Sequence, residues 1–90
     1  MRLRYKFSMM DMGDEIAAVP VGENASEFHG MLKLNEVSAD ILNQLVEETT
    51  PEKVHAYLCE KYTDSTRDEI GVQLAEFLTQ LLHEGLLIVD

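Results

Sequence analysis

The feature that most constrains this chain is a change in hydrophobic period near residue 35. Before it, apolar residues recur every second position. Leu3, Tyr5, Phe7 and Met9 alternate with Arg2, Arg4, Lys6 and Ser8, the pattern of a strand with one buried face. After it, the apolar residues recur at helical spacing. Val37, Ile41, Leu42, Leu45 and Val46 form one stripe, Val54, Tyr57, Leu58 and Tyr62 a second, and Ile70, Leu74, Phe77, Leu78, Leu81 and Leu82 a third. A stripe of this kind marks a helix packed on a core along one side. Strands therefore precede helices, an α+β order.

Local signals place the elements. Met12-Gly13-Asp14 reads as a turn. Residues 15–21 (EIAAVPV) form a second strand, with Pro20 near its end, where a missing N–H does little harm. Residues 22–26 are a polar loop, and residues 28–34 (FHGMLKL) a third strand. In that strand Phe28, Gly30, Leu32 and Leu34 share one face, and His29, Met31 and Lys33 the other. Asn35 is an N-cap for the first helix. Thr50-Pro51 supplies a cap and a first-position proline for the second. Thr66-Arg67-Asp68-Glu69 has the capping-box spacing for the third, and Gly85 stops it. Residues 86–89 are a short apolar tail, expected to be extended and docked on the core. The predicted fold is a winged-helix-like domain, a three-stranded antiparallel sheet followed by three helices (βββααα). The second and third helices form a helix-turn-helix pair.

Size and composition bound the function. Ninety residues are enough for one core and not for two, so residues 1–90 are read as a single domain. Hydrophobic content of 46% suits a globular chain. No apolar run approaches the roughly 18 residues of a membrane span. The basic start, Arg2, Arg4 and Lys6, is not followed by a signal-peptide core. With one cysteine, Cys59, no internal disulfide forms, and the expected compartment is the cytoplasm. The net charge of -10 is uneven: residues 1–35 hold five acids against four bases, residues 36–90 twelve against three. Such a surface repels nucleic-acid phosphates and anionic lipid. It suits basic partners, or serves only to keep the domain soluble.

Catalytic signals are weak. His55 and Cys59 are four apart on a helix, but no HxxH or CxxC spacing supplies further metal ligands. His29 and His83 join them only by accident of the fold. No base is recognisable beside Cys59, and His83 at the end of a helix complements the dipole without further role. No glycine-rich phosphate loop occurs. The expectation is a non-enzyme without metal or cofactor. The methionines, Met1, Met9, Met10, Met12 and Met31, all fall in the strand region, and Met31 on the open face of the third strand is suited to adaptable contact.

Several residues carry a resemblance. Leu34-Asn35 closes a strand; Ala39, Ile41 and Leu42 follow on a helix; Thr50-Pro51, Val54, Leu58 and Tyr62 mark the next; Phe77-Leu78, Leu81 and Gly85-Leu86 end the last. In this order and spacing the chain resembles the PqqD-like family of recognition elements for ribosomally made, post-translationally modified peptides, over roughly residues 5 to 89. Where many members have Asp-Gly before the second helix, this chain has Glu47-Glu48-Thr49, a departure that points away from the pyrroloquinoline quinone precursor as client. The resemblance implies that the domain holds the leader segment of a precursor peptide and presents it to a modifying enzyme, often a radical S-adenosylmethionine enzyme. It also implies that the leader adds as a strand to the third strand and lies against the third helix.

The residues of that implied groove are Phe28, His29, Gly30, Met31, Leu32 and Lys33 on the strand, with Gly71, Val72, Ala75, Glu76 and Thr79 on the helix. Strand addition needs an edge with free N–H and C=O groups. Gly30 removes a side chain where a second backbone would approach, although a lone glycine equally suits a bulge. Gly71, Ala75 and Thr79 recur at i, i+4 and i+8, a smooth flank that also suits packing against another helix. Asp68, Glu69 and Glu76, with Gln73 and Gln80 nearby, would favour a leader carrying Lys or Arg, or are an ordinary solvated face.

Three other readings compete. A winged-helix DNA-binding domain has the right element order, but its recognition helix would carry Asp68, Glu69, Glu76 and Glu84 against Arg67. An acyl carrier protein would need its modified serine early; Asp64-Ser65-Thr66 comes too late, and the strands do not fit a four-helix bundle. A general interaction domain, as monomer or strand-exchanged dimer, is compatible with exposed edge strands.

Overall fold

The computed structural model describes residues 1–22 and 30–89. Eight elements follow in order: β1 (Arg2–Leu3), β2 (Lys6–Asp11), β3 (Ile16–Val21), β4 (Leu32–Leu34), α1 (Glu36–Gln44), α2 (Pro51–Lys61), α3 (Arg67–His83) and β5 (Leu87–Ile88). Strands β2, β3 and β4 form an antiparallel sheet in that order, and the three helices follow it, as the change of period implies. The register sets Met9 opposite Ala18, and Ala18 opposite Leu32. The tight β2–β3 connection is held by the Met12 N–H on the Glu15 carbonyl (2.8 Å) and the Gly13 N–H on the Asp11 carboxylate (2.9 Å).

Each helix starts at its expected cap. The Asn35 side chain accepts from the Ser38 N–H (2.8 Å), Thr50 from Lys53 (3.2 Å) and Thr66 from Glu69 (3.1 Å). At the far end of α3, Gly85 adopts φ +72°, the left-handed conformation that side chains resist. Its N–H bonds the Leu82 carbonyl (3.1 Å) and the next N–H, of Leu86, bonds Leu81 (2.9 Å). These are the two bonds of a Schellman motif, and they turn Leu86 back into the core.

The first strand is not continuous, contrary to the alternation. Arg2 and Leu3 pair with Ile88 and Leu87 of the tail, while Lys6 onward pairs with β3. The break follows from competing partners: the Leu3 N–H bonds the Leu45 carbonyl (2.9 Å) and the Arg4 N–H bonds Leu86 (2.8 Å). Both pull the chain out of the plane of the main sheet. The third strand is also shorter than expected, covering Leu32–Leu34, and Gly30 sits at a bend before it with φ +152°. The expected loop at residues 23–26 and strand residues Phe28 and His29 lie outside the described residues. Pro20 pairs with Phe7 beyond the reach of β4, whose pairing ends at Ala18, so it breaks no ladder on that side.

One apolar cluster joins both halves, including Ala18, Leu32, Leu34, Ile41, Leu42, Val54, Leu58, Ile70, Leu74, Leu81 and Leu86. Three stripe residues fall outside it. Val46 is exposed because α1 ends at Gln44; Tyr57 and Leu82 are exposed because Leu58 and Leu81 take the core positions beside them. The smallest extent of the molecule is 19 Å, the thickness of two layers. Lys61 (2.8 Å) and the Tyr62 hydroxyl both bond the Asp40 carboxylate, which ties the end of α2 to α1. No helix is long and apolar enough to cross a membrane among the described residues.

Candidate peptide-binding edge

β4 is the last strand of its sheet, and no described strand pairs with its outer side. Leu32 and Leu34 are buried in the core and Lys33 is exposed on the opposite face. Of this strand, then, the Lys33 side chain is exposed and the outer backbone edge is unpaired by any described strand, with Met31 exposed just before it. Gly30 is exposed at the bend that leads in.

Beside the end of β4 lies a shallow cleft of about 160 Å3, walled by Asn35 and Ser38 on one side and by Gln73, Glu76, Phe77 and Gln80 of α3 on the other. Phe77 is buried, while Gln73, Glu76 and Gln80 are exposed. The cleft has an aromatic base and a rim of amides with one carboxylate, and among these six residues Glu76 carries the formal charge. It offers acceptors to a basic side chain and apolar contact to a small one.

The structure divides the residues expected to form one groove. Leu32 and Lys33 lie in β4 and Met31 just before it, while Glu76 lines the cleft beside the end of that strand. Gly71 and Ala75 instead line a concavity toward α2, with Pro51, Glu52, His55, Leu74 and Leu78. A Cβ at Gly71 would meet the His55 ring at 3.6 Å, so this smooth flank packs against a helix. Val72 is exposed in a third concavity with Asp68, Glu69 and Gln73. Thr79 is exposed, and its hydroxyl donates to the Ala75 carbonyl (2.8 Å). Sequence reasoning missed Ser38 and the part played by Phe77. The available signal was the spacing of Gln73, Glu76, Phe77 and Gln80, which lie on one side of a helix.

His55 and Cys59 do meet: Sγ lies 3.6 Å from Nε2, which also contacts the Arg67 carbonyl at 2.9 Å. That second contact makes the ring a tie between α2 and the start of α3. Among the described residues no group of three His, Cys, Asp or Glu side chains gathers into a metal site.

The chain matches the family of coenzyme PQQ synthesis protein D (PqqD) over residues 9–87, from within β2 to the first residue of β5. The chain belongs to the PqqD family. Two solved structures share its fold. TbiB1 in complex with the TbiA(beta) leader peptide is 22% identical, superposes with a TM-score of 0.69 and is matched over 100% of both chains. Lasso peptide synthetase B1 complexed with the leader peptide is 22% identical with a TM-score of 0.67, over 98% of this chain and 96% of the other. No curated protein sequence matches. The matched span covers the second half of β2, all of β3, β4 and the three helices, and the first residue of β5, while β1 lies before it.

Proposed function

We propose that this PqqD-family domain binds the leader segment of a ribosomally made precursor peptide by strand addition along β4, and presents it to a modifying enzyme. The observation that supports this most is the open edge of β4 lying beside the α3 cleft, in a fold whose two neighbours both hold leader peptides. An extended peptide beside β4 gains main-chain hydrogen bonds, and every second side chain falls toward α3. The groove runs from Gly30, Met31, Leu32 and Lys33 to Glu76, with Val72 and Thr79 flanking it. Gly71 and Ala75 then act by supporting α3 from the α2 side.

Glu76 selects a leader with Lys or Arg at a helix-facing position. A short peptide that orders on binding reaches about -8 kcal/mol, a micromolar complex. The domain supplies no catalytic group of its own in this reading. The partner enzyme is a radical S-adenosylmethionine enzyme or another peptide-modifying enzyme, and the complex works in the cytoplasm.

Fluorescence anisotropy of a labelled leader tests the proposal. Saturable binding at micromolar domain, unaffected by excess duplex DNA, supports it. Retention of the domain on heparin at low salt, with no leader binding from a panel of precursors, would instead favour the nucleic-acid reading that the charge of α3 opposes.

A further inference from the structure

The sheet has a second open edge. β2 lies at the other end of the order β2-β3-β4, and no described strand pairs with its outer side. Against this edge sits a cavity of about 650 Å3, several times the volume of the β4 cleft. Its apolar lining includes Phe7 and Met9 of β2, Leu42 of α1 and Val46 just past the end of that helix, with Leu3 and Tyr5. Val46 is 67% exposed, the largest value among the exposed large apolar residues.

The rim of this cavity departs from the charge of the rest of the chain. Arg2, Arg4 and Lys6 all line it, three of seven bases in a chain with net charge -10. None of them ion-pairs with a described residue. Arg4 is exposed and is held by a bond from Nε to the Gly85 carbonyl (3.0 Å). Among the described residues no acidic side chain lines the cavity.

We infer that the β2 edge is a second docking site, and that its occupant is an extended acidic segment of a partner protein with alternating apolar and acidic residues. The alternation follows from the strand. Residues of an added strand on the inner face of the sheet would drop onto Phe7, Met9, Leu42 and Val46, and the others would meet Lys6 and the arginines. The charge follows from the rim, because an acidic segment is attracted here and repelled by the acidic helices. The site is separate from β4, on the opposite edge of the sheet, so one domain would hold two peptides at once.

A nine-residue peptide alternating Glu and Val, and a matched one alternating Lys and Val, serve as probes. The first should shift amide resonances of residues 6–11 and 42–46, weaken as salt rises, and lose about tenfold in affinity in an R2E/K6E variant. V46E, at an exposed position, should remove binding while leaving the amide spectrum folded. Leader binding at β4 should survive both variants, so failure here and failure of the leader reading are separable. Equal binding of the lysine peptide, or shifts confined to residues 31–35 and 73–80, overturns the inference. So does a dimer in sedimentation that V46E dissociates, which would make the occupant a second copy of this chain.

Discussion

The Asp40, Lys61 and Tyr62 contact shows how single residues tie elements together. Burial, and then the hydrogen bond to Asp40, push the Tyr62 phenol well above its ordinary range. The bond to Asp40 raises Lys61 above its ordinary value as well, against the lowering effect of burial. A group whose folded pKa is raised contributes stability that is full below its unfolded value and lost as pH climbs through the folded one. The folded state should therefore hold its stability to about pH 10, near the ordinary phenol value of 10.0, and lose it above. Chemical denaturation of the wild type and Y62F across pH 8 to 11.5 checks this, the pH values spanning about the usual titration range of phenol and ammonium. The variant should start about 1 kcal/mol less stable at the low end of that range and fall less steeply at its high end. Parallel curves would place the bond outside the stability of the fold.

At the scale of elements, the two sides of α3 have different tasks, and two substitutions separate them. Gly71 is a helix-interior glycine with ordinary φ whose added Cβ finds His55 at normal contact distance, 3.6 Å. G71A should raise stability by about 0.5–1 kcal/mol and leave leader affinity unchanged. E76K, on the β4 side, should leave stability alone and weaken a basic leader roughly fivefold at low salt, less at high salt. Thermal melts and leader titrations of both variants read the four outcomes. The same contrast explains what was legible in the sequence. Helix starts were, because Asn35, Thr50 and Thr66 each bond an N–H three residues on, a rule that needs no tertiary information. The break between β1 and β2 was not, because it is set by the distant Leu45 and Leu86 carbonyls. Nor was the division of α3: consecutive residues such as Ala75 and Glu76 lie about 100° apart on a helix, and only the crossing of α2 and β4 decides which side each faces. Edge status was legible for β4 from strand order; the cleft beside it needed the position of Ser38 and Phe77.

The described residues form a thin plate whose sheet ends on each side in a strand that no further described strand pairs, with unlike charge at the two sides. Lys33 and Glu76 flank the β4 edge, and Arg2, Arg4 and Lys6 crowd the β2 edge. The β4 edge is where we propose that the leader binds. The acidic helical layer should keep the domain off polyanions, so heparin at low salt should not retain it. The most direct test is an amide NMR titration of the labelled domain with the leader of a precursor encoded beside it. The account predicts saturable shifts confined to residues 30–35 and 73–80, with the α2-facing Gly71 and the residues of β2 unmoved. Saturable shifts that instead centre on the α2–α3 concavity or on β2, with β4 silent, would contradict it.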